Sequence, residues 1–291
     1  MEGQEHQPAE GQAEPELLYH FTTLDGFLGI IRNSELWATD IRYLNDTSEF
    51  RTVPDLAAEN LIEAMDLEGQ NDDLIDSYRP LFVQAGKPAY VASFSAEISG
   101  DDLSQWRAYG GDHSGICLGF SPNYLRRIGT QFLNEPSDPG WAKTSGFNDP
   151  LIDCQYLDGK NPEDKKTISP NIKDLLDHSR ENGAIAAMAS AMYSAGVKHK
   201  GFHAEKEWRV VLVRDCEAPS NRLSFRASRS LIIPYVGIPL KIGKEPVTIE
   251  RIVLGPTPHE EMAKKSVEMV LKRHGVEFRK VANSNIPYRN W

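Results

Sequence analysis

In Glu205-Lys206-Glu207-Trp208-Arg209-Val210-Val211-Leu212-Val213, two carboxylates two residues apart stand at the entrance of a strongly apolar stretch. If the stretch is a strand, its period of two brings Glu205 and Glu207 to one side. Paired carboxylates suit acid–base work or the stabilisation of a developing cation. The same spacing also suits a ladder in which Glu207 and Arg209 pair along the strand's polar face, and spacing alone leaves both readings open.

His20 is the second polar group that needs an explanation, because Leu17-Leu18-Tyr19-His20-Phe21 is otherwise an apolar-aromatic run of strand type. Alternation points its side chain away from those of Tyr19 and Phe21, into a cleft or into the core. Ser104-Gln105-Trp106-Arg107-Ala108-Tyr109-Gly110-Gly111 groups aromatics, a cation and a flexible glycine pair, which can make a stacking floor with an anion-contacting edge. Trp106 taken alone reads as core. Ser93 and Ser95 share one face of a strand, either as ligand contacts or as a half-wet sheet.

Several familiar sites are missing: no G-x-G-x-x-G after a strand, no G-x-x-x-x-G-K-[ST], no H-E-x-x-H and no G-x-S-x-G. His199 and His203 have i, i+4 spacing, but Gly201 lies between them, and no metal is expected. Cys117, Cys154 and Cys216 stand too far apart for a zinc or C-x-x-C site, which fits a reducing compartment, and Cys117 and Cys154, inside apolar runs, read as small buried hydrophobes. A formal charge of −10 opposes passive binding to a phosphate backbone. Lys198, Lys200, Lys206 and Arg209 form a local basic group, of the kind that usually belongs to a solvated face. There is no uninterrupted apolar run of about 18 residues and no signal-peptide pattern, so the expectation is a cytoplasmic protein without membrane contact.

The elements that must position these groups follow from periodicity and punctuation. Residues 1–16, polar and poor in large apolar side chains, read as a disordered tail, and residues 17–291 as a single α+β domain. Leu24, Phe27, Leu28 and Ile31 recur at helical spacing behind Thr22 or Thr23 as cap. Strands are expected at 35–39, 90–95, 115–120, near 151–157, and at 207–213, 222–227, 231–236 and 249–254. Helical stretches are expected from Asp40-Asp46 to about residue 86, around Trp106, and from Ser169-Pro170 to roughly Val197. Another opens on a Thr257/Glu260 capping box and stops before Gly275. Residues 134–150, rich in Pro and Gly, read as a long surface loop. Strict βαβ alternation is not seen, which favours the mixed class.

Taken together, Leu18-Tyr19-His20-Phe21-Thr22, Leu36-Trp37-Ala38-Thr39-Asp40, Tyr43-Leu44-Asn45-Asp46, Ser104 to Gly110, Glu205 to Arg209, Leu254-Gly255-Pro256-Thr257 and Ile286-Pro287-Tyr288-Arg289 resemble a widespread bacterial domain-of-unknown-function family, DUF2971. The order of a strand with His, an amphipathic helix, a strand with Ser and a late strand led by Glu also resembles the ADP-ribosyltransferase superfamily. That resemblance implies a split, mixed or antiparallel β-sheet core with peripheral helices, and NAD as substrate. It implies Glu207 as the catalytic glutamate, Glu205 as an acceptor-side helper and His20 orienting the ribose. Cofactor contacts would come from His20, Phe21, Thr22, Ser93, Ser95, Trp106, Arg107 and Tyr109. The acceptor would be a protein, RNA or DNA, in a toxin or anti-phage defence setting with an antitoxin or regulatory partner. An NAD glycohydrolase, a metal-dependent nuclease using His20, Asp40, Asp46 and the two glutamates, and a non-enzymatic binding module are the other readings.

Overall fold

The computed structural model describes residues 14–44, 89–97, 99–111, 114–138, 140–141, 149–157, 191–192, 194–214, 220–228 and 230–288. The first three elements follow the sequence closely: β1 (Leu18–Thr22), α1 (Leu24–Asn33) and β2 (Glu35–Asp40). Thr23 Oγ1 accepts the Gly26 amide at 3.0 Å, a cap of the kind that contributes about 1 kcal/mol. Phe27, Ile30 and Ile31 form the buried stripe of α1, whereas Leu24, at its first position, stays exposed. A single 3-10 turn (Ile41–Tyr43) follows, and the helices expected between residues 46 and 86 lie outside the described residues.

The chain continues with β3 (Ala89–Ser95), α2 (Leu103–Tyr109), β4 (Ile116–Phe120) and α3 (Pro122–Leu133). Sequence reasoning passed over α3, although its start is well signed. Ser121 Oγ accepts from the Tyr124 amide, Pro122 opens the first turn, and Leu125, Ile128 and Phe132 are buried on one stripe. After it come β5 (Leu151–Asp153), β6 (Gln155–Leu157), β7 (Val197–His199), β8 (Glu207–Val213), β9 (Leu223–Ala227), β10 (Ile232–Pro239), β11 (Thr248–Leu254), α4 (Glu260–Arg273) and β12 (Glu277–Asn283).

The helix expected to reach roughly Val197 is helical at residues 191–192 and 194–195, and Val197 opens β7; residues 158–190 lie outside the described residues. Two expectations need correction. The capping box before α4 does not form: Thr257 Oγ1 accepts from His259 N, while Glu260 accepts from Asn283. The 134–150 segment is not all surface, because Asp138 is buried and receives bonds from Trp141 and Arg214.

The main sheet runs β12-β11-β4-β1-β3-β2-β10-β9, with β8 beside β3 and β5 beside β8. All of its named pairings are antiparallel except β11 with β12, which α4 joins as one parallel crossover. The protein is therefore a mixed α+β structure on a mostly antiparallel open sheet. The larger core lies on one face, where Leu18, Phe94, Phe120 and Val210 meet α1 and α3. On the other face Val91, Val211 and Val213 pack with Ala191 and Ala195, and Tyr19 and Phe21 pack with Trp106.

Strand β3 governs the geometry of everything below. On one edge β8 pairs with it along its whole length, from Ala89↔Val213 to Ser95↔Glu207. A strand has only two edges, so β1 and β2 must share the other. β1 pairs there at Tyr19↔Ser95, and β2 at Thr39↔Val91 and Asp40↔Tyr90. Between these contacts, at 92–94, the ladder opens into a fork.

Candidate functional site

His20 stands in the fork. Its Nδ1 lies 3.0 Å from the Ser93 carbonyl oxygen, one of the backbone acceptors that the parted strands leave without a ladder partner. A carbonyl can only accept, so Nδ1 carries the proton. Burial lowers the pKa of His20; the bond to Ser93 opposes that shift and the Arg226 charge adds to it. The ring is therefore neutral near pH 7, with Nε2 left as an acceptor.

Across β3, the acidic cluster is arranged differently from the strand-period expectation. Glu205 is not on the strand: it ends a 3-10 helix (Lys200–Glu205), and Lys206 at φ 44 turns the chain into β8. That left-handed conformation costs a non-glycine residue roughly 1–2 kcal/mol. Its effect is to swing the Glu205 and Glu207 side chains onto one cation. Lys198 Nζ lies 2.6 Å from Glu205 Oε2 and 2.5 Å from Glu207 Oε2. Arg209 Nε bonds Glu207 Oε1 at 2.8 Å, and its Nη1 donates to the Ala195 carbonyl.

Both Glu207 oxygens are thus engaged, and the residue is 4 % exposed. Burial by itself would raise its pKa, but the charges of Arg209 and Lys198 outweigh burial and hold it below its ordinary value. Lys198 mirrors this: burial would lower it, and Glu207 and Glu205 raise it overall. The basic residues Lys198 and Arg209 are accordingly buried counter-ions rather than parts of a solvated face. Glu205 is the more accessible carboxylate, its side chain 20 % exposed. Its Oε2 takes Lys198 and a long 3.5 Å bond from Tyr109 Oη, which leaves Oε1 unengaged among the described residues. Burial first, and then the Glu205 charge, push Tyr109 up to about 12.

Two serines serve this cluster in different ways. Ser95 Oγ donates to the Glu205 carbonyl at 2.8 Å and so holds the 3-10 helix against β3. Ser93 is half-buried opposite Arg209. Tyr156, which sequence reasoning did not single out, accepts the Glu207 amide at 2.6 Å through its hydroxyl. Gln155-Tyr156-Leu157 carries no local signal that could have flagged it.

The remaining sequence candidates fall elsewhere. Trp106 is buried, donates to Asp101 at 2.8 Å and meets Phe21 edge-on at 4.8 Å, so both belong to packing. Arg107 is exposed, its guanidinium 5.1 Å from the Tyr288 ring centre. Thr22 packs on Gly26, where an added Cβ would fall 2.1 Å from its hydroxyl oxygen. His20 and Glu207 are not on adjacent strands, because β3 lies between them. Through Ser95 it is Tyr19 that shares a row with Glu207.

Among the described residues no group of three or more His, Cys, Asp or Glu side chains could hold a metal ion. His199 accepts from the Gly201 amide and His203 rests edge-on against Tyr156. Asp40 is taken up by Arg42 at 2.6 Å, and Asp46 lies outside the described residues. Cys117 is a free, buried thiol, and Cys154 is buried. No helix among the described residues is long and apolar enough to cross a membrane.

Residues 105–210 match a family model described as Protein of unknown function (DUF2971). The matched stretch holds Tyr109, Lys198, Glu205, Glu207 and Arg209, and leaves His20 and the outer strands β9 to β12 outside it. No curated protein matches the chain, and no solved structure does. The likeness to ADP-ribosyltransferases has no counterpart among these matches.

Proposed function

We propose that the chain is an ADP-ribosyltransferase that uses NAD as substrate and modifies a macromolecular acceptor, protein or nucleic acid. The observation that carries the reading is the fork in the sheet. A split between strands, with a neutral histidine fixed in it and a pair of ion-paired carboxylates one strand away, is a cleft of the kind in which a ribose can be oriented near a fixed carboxylate.

In the reaction, the bond between the nicotinamide nitrogen and the ribose carbon breaks, and its electrons leave with nicotinamide. The ribose gains oxocarbenium character, as in glycoside cleavage, and a fixed carboxylate favours that state over the ground state. The acceptor's nucleophile then bonds the same carbon and gives up its proton to a base. Neutral His20, with Nδ1–H on Ser93, presents Nε2 to a ribose hydroxyl. Glu205, with one oxygen unengaged, is the carboxylate open to substrate or to the acceptor's proton. Glu207 fixes Lys198 and Arg209, and can approach the ribose only if Lys198 swings away. The cluster's two carboxylates and two cations sum to zero formal charge, so position rather than net field must do the work.

The test is incubation of the full chain with labelled NAD and a cell lysate. Released nicotinamide with label on protein, RNA or DNA is the expected result. Released nicotinamide with no labelled macromolecule would make water the acceptor and the chain an NAD glycohydrolase. No release, together with no thermal shift on adding NAD, would sink the enzymatic reading.

A further inference from the structure

Arg226 on β9 is a half-buried guanidinium with little to hold it. Its Nη2 donates to Thr39 Oγ1 at 3.2 Å, reaching back across β10 to β2, the outer tine of the fork. Its Nε is buried with no hydrogen-bond partner. Among the described residues no carboxylate pairs with it, and burial is the main influence on it, lowering its pKa, with only Tyr235 opposing. A cation in such a place is partly desolvated with one neutral hydroxyl and no carboxylate to offset it.

The same sheet face carries a second unanswered donor. Thr39 pairs with Tyr235, and Tyr235 with Ser224, so these three form one row; Trp37 and Arg226 flank that row on the same face by the period of two. The Trp37 Nε1 is buried without a partner. Its ring lies 5.0 Å from that of Tyr235, at 41°. Thr39 spends its oxygen lone pair on Arg226, which leaves its hydroxyl hydrogen to donate. A guanidinium, an indole and a hydroxyl thus share one sheet face on either side of Tyr235, and the first two each carry a buried N–H without an acceptor. The Arg226 charge bears on His20.

We propose that Arg226, Trp37 and Thr39 form an anion subsite on the β2–β10–β9 face that takes a phosphoryl group of a nucleotide ligand. A phosphate offers several strong acceptor oxygens to a guanidinium fork, and the Trp37–Tyr235 pair gives an aromatic wall for the attached nucleoside. The proposal rests on the NAD reading only for the name of the nucleotide, and would place the diphosphate on β9 with the ribose at His20.

Calorimetric titration of the full chain with inorganic pyrophosphate and with ADP tests it, alongside NAD turnover. Both probes should bind, and Arg226→Gln should weaken them about tenfold or more, the scale of one charged hydrogen bond. Trp37→Phe, which keeps a ring and removes the donor, should weaken them by a smaller factor, and carries the test if Arg226→Gln fails to fold. A parent chain that binds neither probe, or variants that bind as the parent does, overturns the subsite. If pyrophosphate binding depends on Arg226 while NAD is never cleaved, the subsite stands and the transferase reading falls. If NAD is cleaved with an unchanged KM in Arg226→Gln, the reverse holds.

Discussion

The two edges of β3 are built on opposite electrostatic principles. Beside β8, Glu207 is buried and both of its oxygens are bonded to buried cations, with Tyr156 on its amide. On the fork side, a histidine nitrogen is left as an acceptor, and beyond it, on the β2–β10–β9 face, the Arg226 Nε and the Trp37 Nε1 are buried without acceptors. Burial of charge is tolerated in the first region because every partner is supplied by the chain. In the second the desolvation cost stands, which is what a site awaiting a ligand looks like. A residue's motif membership did not distinguish these cases; its partners did.

Breaking the closed edge should have the largest effect. Glu207→Ala takes the Nε carboxylate partner from buried Arg209 and one of two carboxylates from buried Lys198, and should cost roughly 3–5 kcal/mol in denaturant unfolding. A loss below about 1 kcal/mol would mean that the network is not closed. Activity lost in a Glu207 variant therefore carries no catalytic meaning until its stability is known.

Glu205→Gln separates chemistry from folding. Its partly exposed, half-engaged carboxylate should be dispensable for stability to within about 1 kcal/mol, while nicotinamide release falls roughly 10²-fold or more. Full release with the glutamine in place would remove Glu205 from the mechanism.

Acidification offers a comparison in one protein. The folded state holds His20 below its ordinary 6.5, so from about pH 6.5 downward the unfolded chain binds a proton that the folded chain refuses, and stability falls. Glu207, also depressed, contributes stability above the carboxylate range that is lost only as pH drops through its lowered folded value. Unfolding free energies measured between pH 7 and 5 should therefore decline in the parent and stay flatter in His20→Asn. Equal slopes would show that His20 is not the group responsible.

The smallest stability effect is expected at Arg226. Arg226→Gln removes an unpaired charge and should leave stability within about 1 kcal/mol of the parent, or raise it. A large loss would reveal a structural partner and erase the contrast between the two edges.

Strand and helix positions were largely legible because they depend on local periodicity: the alternation in β1, the stripe of α1, and the apolar run of β8 each declare themselves within a few residues. The α3 start was legible too, in Ser121-Pro122, and was overlooked. The Thr257/Glu260 capping box misled because Asn283, far along the chain, competes for the glutamate.

From the amino-acid sequence came the α+β class, most element boundaries, and the suspicion that His20, Glu205 and Glu207 matter together. Both readings of Glu207, ladder and chemistry, were visible there; the fold forms the Arg209 pair that strand spacing offered and adds Lys198, which it could not anticipate. The left-handed turn at Lys206, the fork between β1 and β2, and the reach of Arg226 to Thr39 are likewise tertiary decisions. The reason is range. Periodicity is written over neighbouring residues, whereas which charges are answered depends on strands that meet across 73 positions at His20–Ser93 and 187 at Thr39–Arg226.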